Sequence, residues 1–439
     1  MAEQQDNNLT DWHSELNLFQ GNVYQTSLES EYDLDYLPLT SIANNGPIEF
    51  YVRGIPGKYR DLNNSKIEVK VKITRPDGAV TVEADKKTIS PSNNLLHSLF
   101  QTMEMEVNGK QVTDPNTSYP YRAYIEALVN TPKQLFDTRM KCQGWEKDTA
   151  GKFDIVDSAG VNTGLKTRET WLADNTTMVL MGRPHMDLFH QEKLIPPNCD
   201  LKFRFIPQKP DFVLIAKDQA AEAKNFKIAI TSARLFIRTK SASPSLLLAH
   251  EQLLDEGPYR IPFTKVTSKV INIPNGMSNY EADNIYMGTL PDKILLALVP
   301  NTNMSGSYQT NPFDFQNGKI NYVALKVNGE MVPQTALQPN FAGKDYIKEY
   351  YKVLEALNYD IGPNCWDITP EEWANGYNIW AFKITPGPLG SVRSMPRVGN
   401  IRLEIKFSNA TDKIYNVLLL SSRPAELQID KFKNVSVNE

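Results

Sequence analysis

Reactive side chains are scarce in this sequence. Its 439 residues include only five histidines and three cysteines. Cys142, Cys199 and Cys365 are odd in number, widely spaced and outside any metal-binding motif. That argues against a disulfide framework and for folding in a reducing compartment. No apolar run reaches the ~18 residues of a membrane-spanning helix. No charged start followed by an apolar core opens the chain, so neither membrane insertion nor passage through the secretory pathway is expected. The sequons at 175–177 and 409–411 carry little weight for the same reason. Basic residues are missing from the beginning: none precedes Arg53, whereas Glu3, Asp6, Asp11, Glu15, Glu29, Glu31, Asp33 and Asp35 all do. Such a segment repels a polyanion. The net charge of −4 supplies no field toward nucleic acid or an anionic membrane either, and sequence-specific nucleic-acid binding is not expected.

Catalytic motifs are missing as well. "PGPLG" at 386–390 lacks the lysine and the following helix of a phosphate loop, and no Gly-x-Ser-x-Gly elbow occurs. The best candidate for a site is "HMDLFHQE" (185–192), with His185 and His190. A zinc-binding helix places its histidines at i and i+4, with a further ligand. Here the separation is five, in a strand-rich context, so the pair reads as structural. His97 and His250 stand alone and read as ordinary structural residues; His13 lies in the acidic segment. The acids at 371–372 and in "YDLDY" (32–36) read as solvated faces. No catalytic, cofactor-binding or metal-binding residue is assigned, which favours a structural role.

What the chain does contain is a repeated phrase. "MEMEVNGKQV" (103–112) returns as "YVALKVNGEMV" (322–332). In both, alternating apolar residues mark a half-buried strand. Asn-Gly then marks a tight turn, because both residues tolerate positive φ. Each phrase is followed by a helical pattern, "YRAYIEALV" (121–129) and "YYKVLEALN" (350–358), which aligns Tyr121 with Tyr350, Glu126 with Glu355 and Leu128 with Leu357. Each is followed later by an alternating strand, "LKFRFIP" (201–207) and "IRLEIKFSN" (401–409). Three elements in one order indicate an internal duplication.

Other strands are plain. Ile67, Val69, Val71 and Ile73 share one face of "KIEVKVKIT" (66–74), and Trp380, Phe382 and Ile384 share one face of 377–386. Helix to later strand is longer in the first half, so roughly 27 extra residues lie within 130–180, where a surface loop is expected. Many short strands, with helices confined to connections, predict an all-β chain of two tandem eight-stranded jelly-roll sandwiches, a double jelly roll. The division expected is an acidic N-terminal arm at 1–35, a first jelly roll at 36–240 and a second at 241–439, the boundary falling in "KSASPS" (240–245).

"PIEFYVRG" (47–54), "NNLLHSLFQTMEMEVNGKQV" (93–112) and "YPYRAYIEALVN" (119–130) resemble the capsid proteins of Polinton (Maverick) elements and adintoviruses. So do "DNIYMGTLPDKILLALVPNTNMSGSYQTNPFDFQNGKINYVALKVNGEMVPQTALQPNF" (283–341) and "WANGYNIWAFKITP" (373–386). The resemblance runs from about residue 27 to 435 and is weakest at 130–175. It implies a hexon-like double jelly-roll major capsid protein without enzymatic activity or cofactor. It further implies a homotrimer forming a pseudo-hexameric capsomer, which contacts neighbouring capsomers and penton or minor capsid proteins in an icosahedral virion around double-stranded DNA. The acidic arm would then serve contacts between capsomers.

Two alternatives share the architecture. A tandem jelly-roll carbohydrate-active enzyme needs convergent carboxylates in the crevice between domains. A glycan- or receptor-binding protein needs an exposed aromatic patch, for which Trp145 and Trp171 are the candidates.

Overall fold

The computed structural model describes residues 25–42, 46–74, 89–155, 161–171, 177–216, 226–360, 366–385 and 395–438. The acidic segment before residue 25, with His13, lies outside them, as do "PGPLG" and Cys365.

The first half supplies β1 (Leu28–Tyr36), β2 (Ile48–Val52), β3 (Lys58–Thr74), β4 (Phe100–Val107), β5 (Lys110–Gln111), β6 (Met178–Gly182), β7 (Leu201–Pro207) and β8 (Lys227–Ala242). The second half supplies β9 (Tyr259–Ile273), β10 (Asn279–Thr289), β11 (Lys293–Pro300), β12 (Ile320–Val327), β13 (Glu330–Leu337), β14 (Ile379–Lys383), β15 (Val398–Phe407) and β16 (Tyr415–Ile429). A final strand, β17 (Val435–Asn438), borders β16, and a ribbon of Ile89–Pro91 with Leu214–Ala216 decorates the first half.

The sheets of the first half run β1-β8-β3-β6 and β2-β7-β4-β5; those of the second run β9-β16-β11-β14 and β10-β15-β12-β13. Raising every number in the first pair by eight yields the second. Each half is therefore a jelly roll with the same strand order, as the repeated phrase predicts.

Strand alternation explains which face goes inward. Ile67, Val69, Val71 and Ile73 of β3 are buried, while Lys66, Glu68, Lys70 and Lys72 are not; each buried side chain contributes roughly 1.5–3 kcal/mol. The first part of β16, by contrast, is buried on both faces from Tyr415 to Ser421. One face fills its own sandwich. On the other face, Leu420 and Ser422 line a small cavity together with Arg122 and Val129 of the first half. A continuous apolar run is what a strand covered on both sides requires. The β14 strand behaves likewise: Ile379 and Ala381 are buried along with Trp380 and Phe382.

Two expectations change. Residues 28–35, read from sequence as part of a solvated arm, form an edge strand. Their acids meet a basic stripe on β8: Glu31 and Asp33 bind Arg238, and Asp35 lies 3.8 Å from Arg234. Opposite charges across an antiparallel pair fix its register. The described part of the stretch at 130–180, expected as a surface loop, packs apolar residues of its own against the fold. Phe136, Met140, Trp145, Phe153 and Leu165 are buried, as is the whole Arg168 side chain. Arg168 donates to Pro91 O and Asp148 Oδ1 at 2.9 and 2.7 Å. Asn162 donates to the same Asp148 oxygen at 2.9 Å. Side chains replace the missing ladder partners, so the segment packs inward without stranding its polar groups.

The Asn-Gly turns carry equivalent bonds in the two halves. Asn108 and Gly109 have φ of 48° and 78°; Asn328 and Gly329 have 51° and 90°. The Asn108 side-chain oxygen accepts the Asp200 amide at 2.8 Å, and that of Asn328 accepts the Asn400 amide at 2.9 Å. Asparagine serves twice over, since it tolerates the left-handed backbone and ties the turn to the neighbouring strand. We expect Asn108→Ala and Asn328→Ala each to cost about 1–2 kcal/mol in denaturant unfolding, with Gly closer to wild type than Ala at Asn328. Unchanged stability in both alanine variants would contradict this equivalence.

Candidate functional site

The helix Tyr119–Asn130 sits between β5 and β6 and points its carboxyl end at the second half. A helix end leaves its last carbonyls without intrahelical partners. Here the second half supplies them: Trp366 Nε1 donates to Leu128 O at 2.9 Å, and the Tyr359 hydroxyl donates to Val129 O at 2.8 Å. Tyr124, one turn earlier, stacks on Phe313 at 4.1 Å and on Trp145 at 5.0 Å. Trp145 is thus a core residue. Trp171 is half-buried at the end of the helix Thr163–Trp171. The aromatic patch that a glycan-binding reading wants is not built by this pair.

The same helix carries the most unusual group of side chains in the molecule. Arg122 is buried and forks between Glu126 at 2.8 Å and Asp187 at 2.6 Å. Asp187 Oδ1 also accepts the Val266 amide of β9 at 3.2 Å, so the pair joins the two halves. Burial raises Asp187 against the pull of Arg122. Glu126 is pushed the opposite way: burial opposes its charge, but Arg122 and the bond to His185 outweigh that and hold it well below the ordinary carboxylate range.

His185 and His190 flank Glu126. His185 Nδ1 lies 2.7 Å and His190 Nε2 3.9 Å from Glu126 Oε2. The His185 backbone amide donates to the Tyr119 hydroxyl at 3.1 Å. His97, expected to stand alone, joins this group; its ring meets that of His185 edge-on at 4.7 Å. Its nitrogens bond the Tyr119 hydroxyl at 2.8 Å and Gln143 Oε1 at 3.1 Å. Burial drives its pKa well down. Those partners suit a neutral ring that donates from Nε2 and accepts at Nδ1. His190, a third exposed at the pocket mouth, is lowered by the surrounding protein despite Glu126. A pocket of about 420 Å³ opens onto Glu126, His185 and His190, with Arg139, Arg183 and Cys142 on its rim.

Sequence reading singled out His185 and His190 but missed Glu126, which precedes His185 by 59 residues. The one available signal was the alignment of Glu126 with Glu355. That comparison now separates the halves: Glu355 is partly exposed and, among the described residues, pairs locally with Lys352 at 2.6 Å. His250 is structural; its Nδ1 bonds the Tyr59 hydroxyl at 2.6 Å. The acids at 371–372 are not merely solvated. Glu372 closes a capping box with Thr369 and lies 3.0 Å from Lys147.

A second pocket, about 470 Å³, lies between the inserted segment and the second half, lined by Asp154, Asp314 and Asp412 together with Lys319 and Lys413. Burial pushes Asp314 up to about 7, although Gln316 bonds its carboxylate at 2.6 Å. Asp154, exposed at the edge of the pocket, is raised too, by its protein surroundings and in small part by Asp148.

No family model matches the chain. An uncharacterised protein of Caenorhabditis elegans is 21% identical over 378 residues, covering 83% of this chain and 87% of that one. Among solved structures, a chain of the Sputnik virophage matches with a TM-score of 0.67 at 14% identity, covering all of this chain and 93% of the other. The mavirus major capsid protein matches with a TM-score of 0.58 at 12% identity over 100% and 95% of the two chains. A capsid chain of the virus PBCV-1 matches at 0.60 and 9% identity, over 95% and 99%. The architecture is the double jelly roll. Among the described residues, no helix is long and apolar enough to cross a membrane.

Two variants probe these sites. Arg122→Ala leaves Asp187 and Glu126 without their cation, and we expect a loss of about 3–5 kcal/mol by chemical denaturation. For Asp314 the sign follows from its raised pKa. The folded state keeps a proton that the unfolded chain loses near 3.8. Stability therefore falls as pH rises from about 4 to about 7 and stays lower above. Asp314→Asn should remove that fall, so its melting temperature relative to wild type should be higher at pH 8 than at pH 4. A pH-independent difference would refute the assignment.

Proposed function

We propose that this chain is a major capsid protein. In this reading three copies form a homotrimer whose six sandwiches make a pseudo-hexagonal capsomer, and capsomers tile an icosahedral shell around double-stranded DNA. The observation that carries the proposal is the strand-for-strand duplication within one chain. Two similar sandwiches fused side by side let a three-fold ring approximate six-fold packing, and a closed ring limits the assembly to a discrete particle. The likeness to virophage and algal-virus capsid chains supports this reading, as does the sequence resemblance to Polinton and adintovirus capsid proteins.

The lone chain also leaves apolar surface uncovered. Met287 and Val398, on paired strands β10 and β15, are each about three-quarters exposed, near the exposed Met395. The helix Pro244–Glu256 between the halves has no buried residue, and Leu248 and Leu253 project from it. Such surface suits contacts with other copies. The acidic segment at the beginning of the chain is assigned to protein contacts, since it repels the genome. Neighbouring capsomers and penton or minor capsid proteins are the partners that this role needs, and the virion is its location.

The enzyme alternative draws on one observation, the raised acids of the Asp154–Asp314 pocket. Mass and shape separate the two readings. Light scattering on the purified chain should give roughly 150 kDa for three copies of 49.7 kDa, and electron microscopy should show particles of hexagonal outline or closed shells. A monomer that stays a monomer at every concentration and salt tested would sink the capsid reading.

A further inference from the structure

We infer that Glu126, His185 and His190 form a binding site for a single transition-metal dication, with Zn2+ the best fit. The site is independent of the capsid reading. Each of the three residues offers one ligand atom within 4.8 Å of the other two, and Glu126 Oε2 lies close to both His185 Nδ1 and His190 Nε2. Around a tetrahedral zinc ion with bonds of ~2.0–2.1 Å, ligand atoms stand about 3.4 Å apart. The 2.7 Å separation of Glu126 from His185 must open slightly, and the 3.9 Å separation from His190 must close slightly. Both are small side-chain adjustments.

The donors are held in place. Glu126 is braced by Arg122, and the backbone of His185 by the Tyr119 hydroxyl that its amide bonds. Outer partners of this kind fix ligand orientation. The His190 ring makes no hydrogen bond among the described residues, and it stands at the pocket mouth where it can swing onto an ion. The duplication provides an internal control. The jelly roll itself does not require this cluster, since Glu355 occupies the matching position of the second half and, among the described residues, pairs with Lys352 alone.

The donor set selects the ion. A single carboxylate supplies too few oxygen ligands for Ca2+ or Mg2+, and Arg139 and Arg183 line the same pocket. Two imidazoles and one carboxylate instead suit Zn2+, Cu2+ or Ni2+, bound through directional bonds to nitrogen. Three protein ligands leave one position open toward the pocket, and the guanidinium groups favour a hydroxide or a carboxylate there.

The test uses the full, untagged chain, stripped with a chelator and titrated with Zn2+ by calorimetry, alongside metal analysis after dialysis. Wild type should hold one ion per chain and melt at a higher temperature with Zn2+ present. His190→Ala should abolish both effects. Because that ring is a third exposed and makes no hydrogen bond, the variant should keep the wild-type melting temperature without metal. Co2+ in place of Zn2+ should give the intense visible bands of a four-coordinate ion in wild type and lose them in His190→Ala and His185→Ala. Absence of zinc binding by wild type, or equal binding by His190→Ala, overturns the site. Preference for Ca2+ or Mg2+ over Zn2+ overturns the proposed donor chemistry.

Discussion

Tyr124 lies between Phe313 of one half and Trp145 of the inserted segment, and the packing of the chain turns on that stack. Two jelly rolls joined by a linker could tumble independently, because interfaces between domains are usually small and polar. Here one apolar core runs through both halves. The aromatic stack fills the middle, and Trp366 and Tyr359 close the exposed end of the Tyr119–Asn130 helix. Moving the halves apart would uncover the rings and leave two helix carbonyls without donors. The halves are thereby held at a fixed angle, which an assembled ring of sandwiches needs of each of its units.

The inserted segment completes this joint. Its Asp148 carboxylate is shared by Arg168, by Asn162 and, at 3.3 Å, by Asn311 of the second half. The Tyr377 hydroxyl donates to Asp148 O at 2.8 Å. Gly376 explains how closely the two surfaces approach. Its φ is +111°, and a Cβ there would stand 2.1 Å from the Phe153 ring. A residue with no side chain is needed both for the backbone and for the ring that packs over it.

The parts of this fold that were legible in sequence are those with local causes. The alternation in β3 and the two Asn-Gly turns follow from residues that touch their own neighbours. The turn asparagines signal twice, through φ and through the strand beside them, so the duplication survived while much around it diverged. What was hidden depends on distant partners. The residues of β1 looked like a solvated acidic arm because Arg238 lies some two hundred positions away. The inserted segment looked like a loop because its polar residues are the ones that usually face water. Turned inward, Arg168, Asp148 and Asn162 satisfy one another. Glu126 was invisible as a member of the histidine group for the same reason: a ligand set assembled from a helix and a later turn has no sequence spacing to read.

Duplication makes the sheets alike but leaves the decorations free to differ, and most of the differences fall on one side. The inserted segment, the ribbon of Ile89–Pro91 with Leu214–Ala216 and the histidine group all belong to the first half; β17 belongs to the second. The sheets must match if two sandwiches are to occupy equivalent corners of a six-cornered particle, whereas the connections facing other partners need not. A true hexamer of single sandwiches would have to repeat every decoration six times. In the proposed capsomer, a trimer of fused pairs needs each only three times, so one corner could carry a buried joint and a polar pocket while its neighbour keeps a plain edge. Within the single chain, the partly exposed pairing of Glu355 with Lys352, against the buried network around Glu126, is the difference between the halves at the scale of one helix turn.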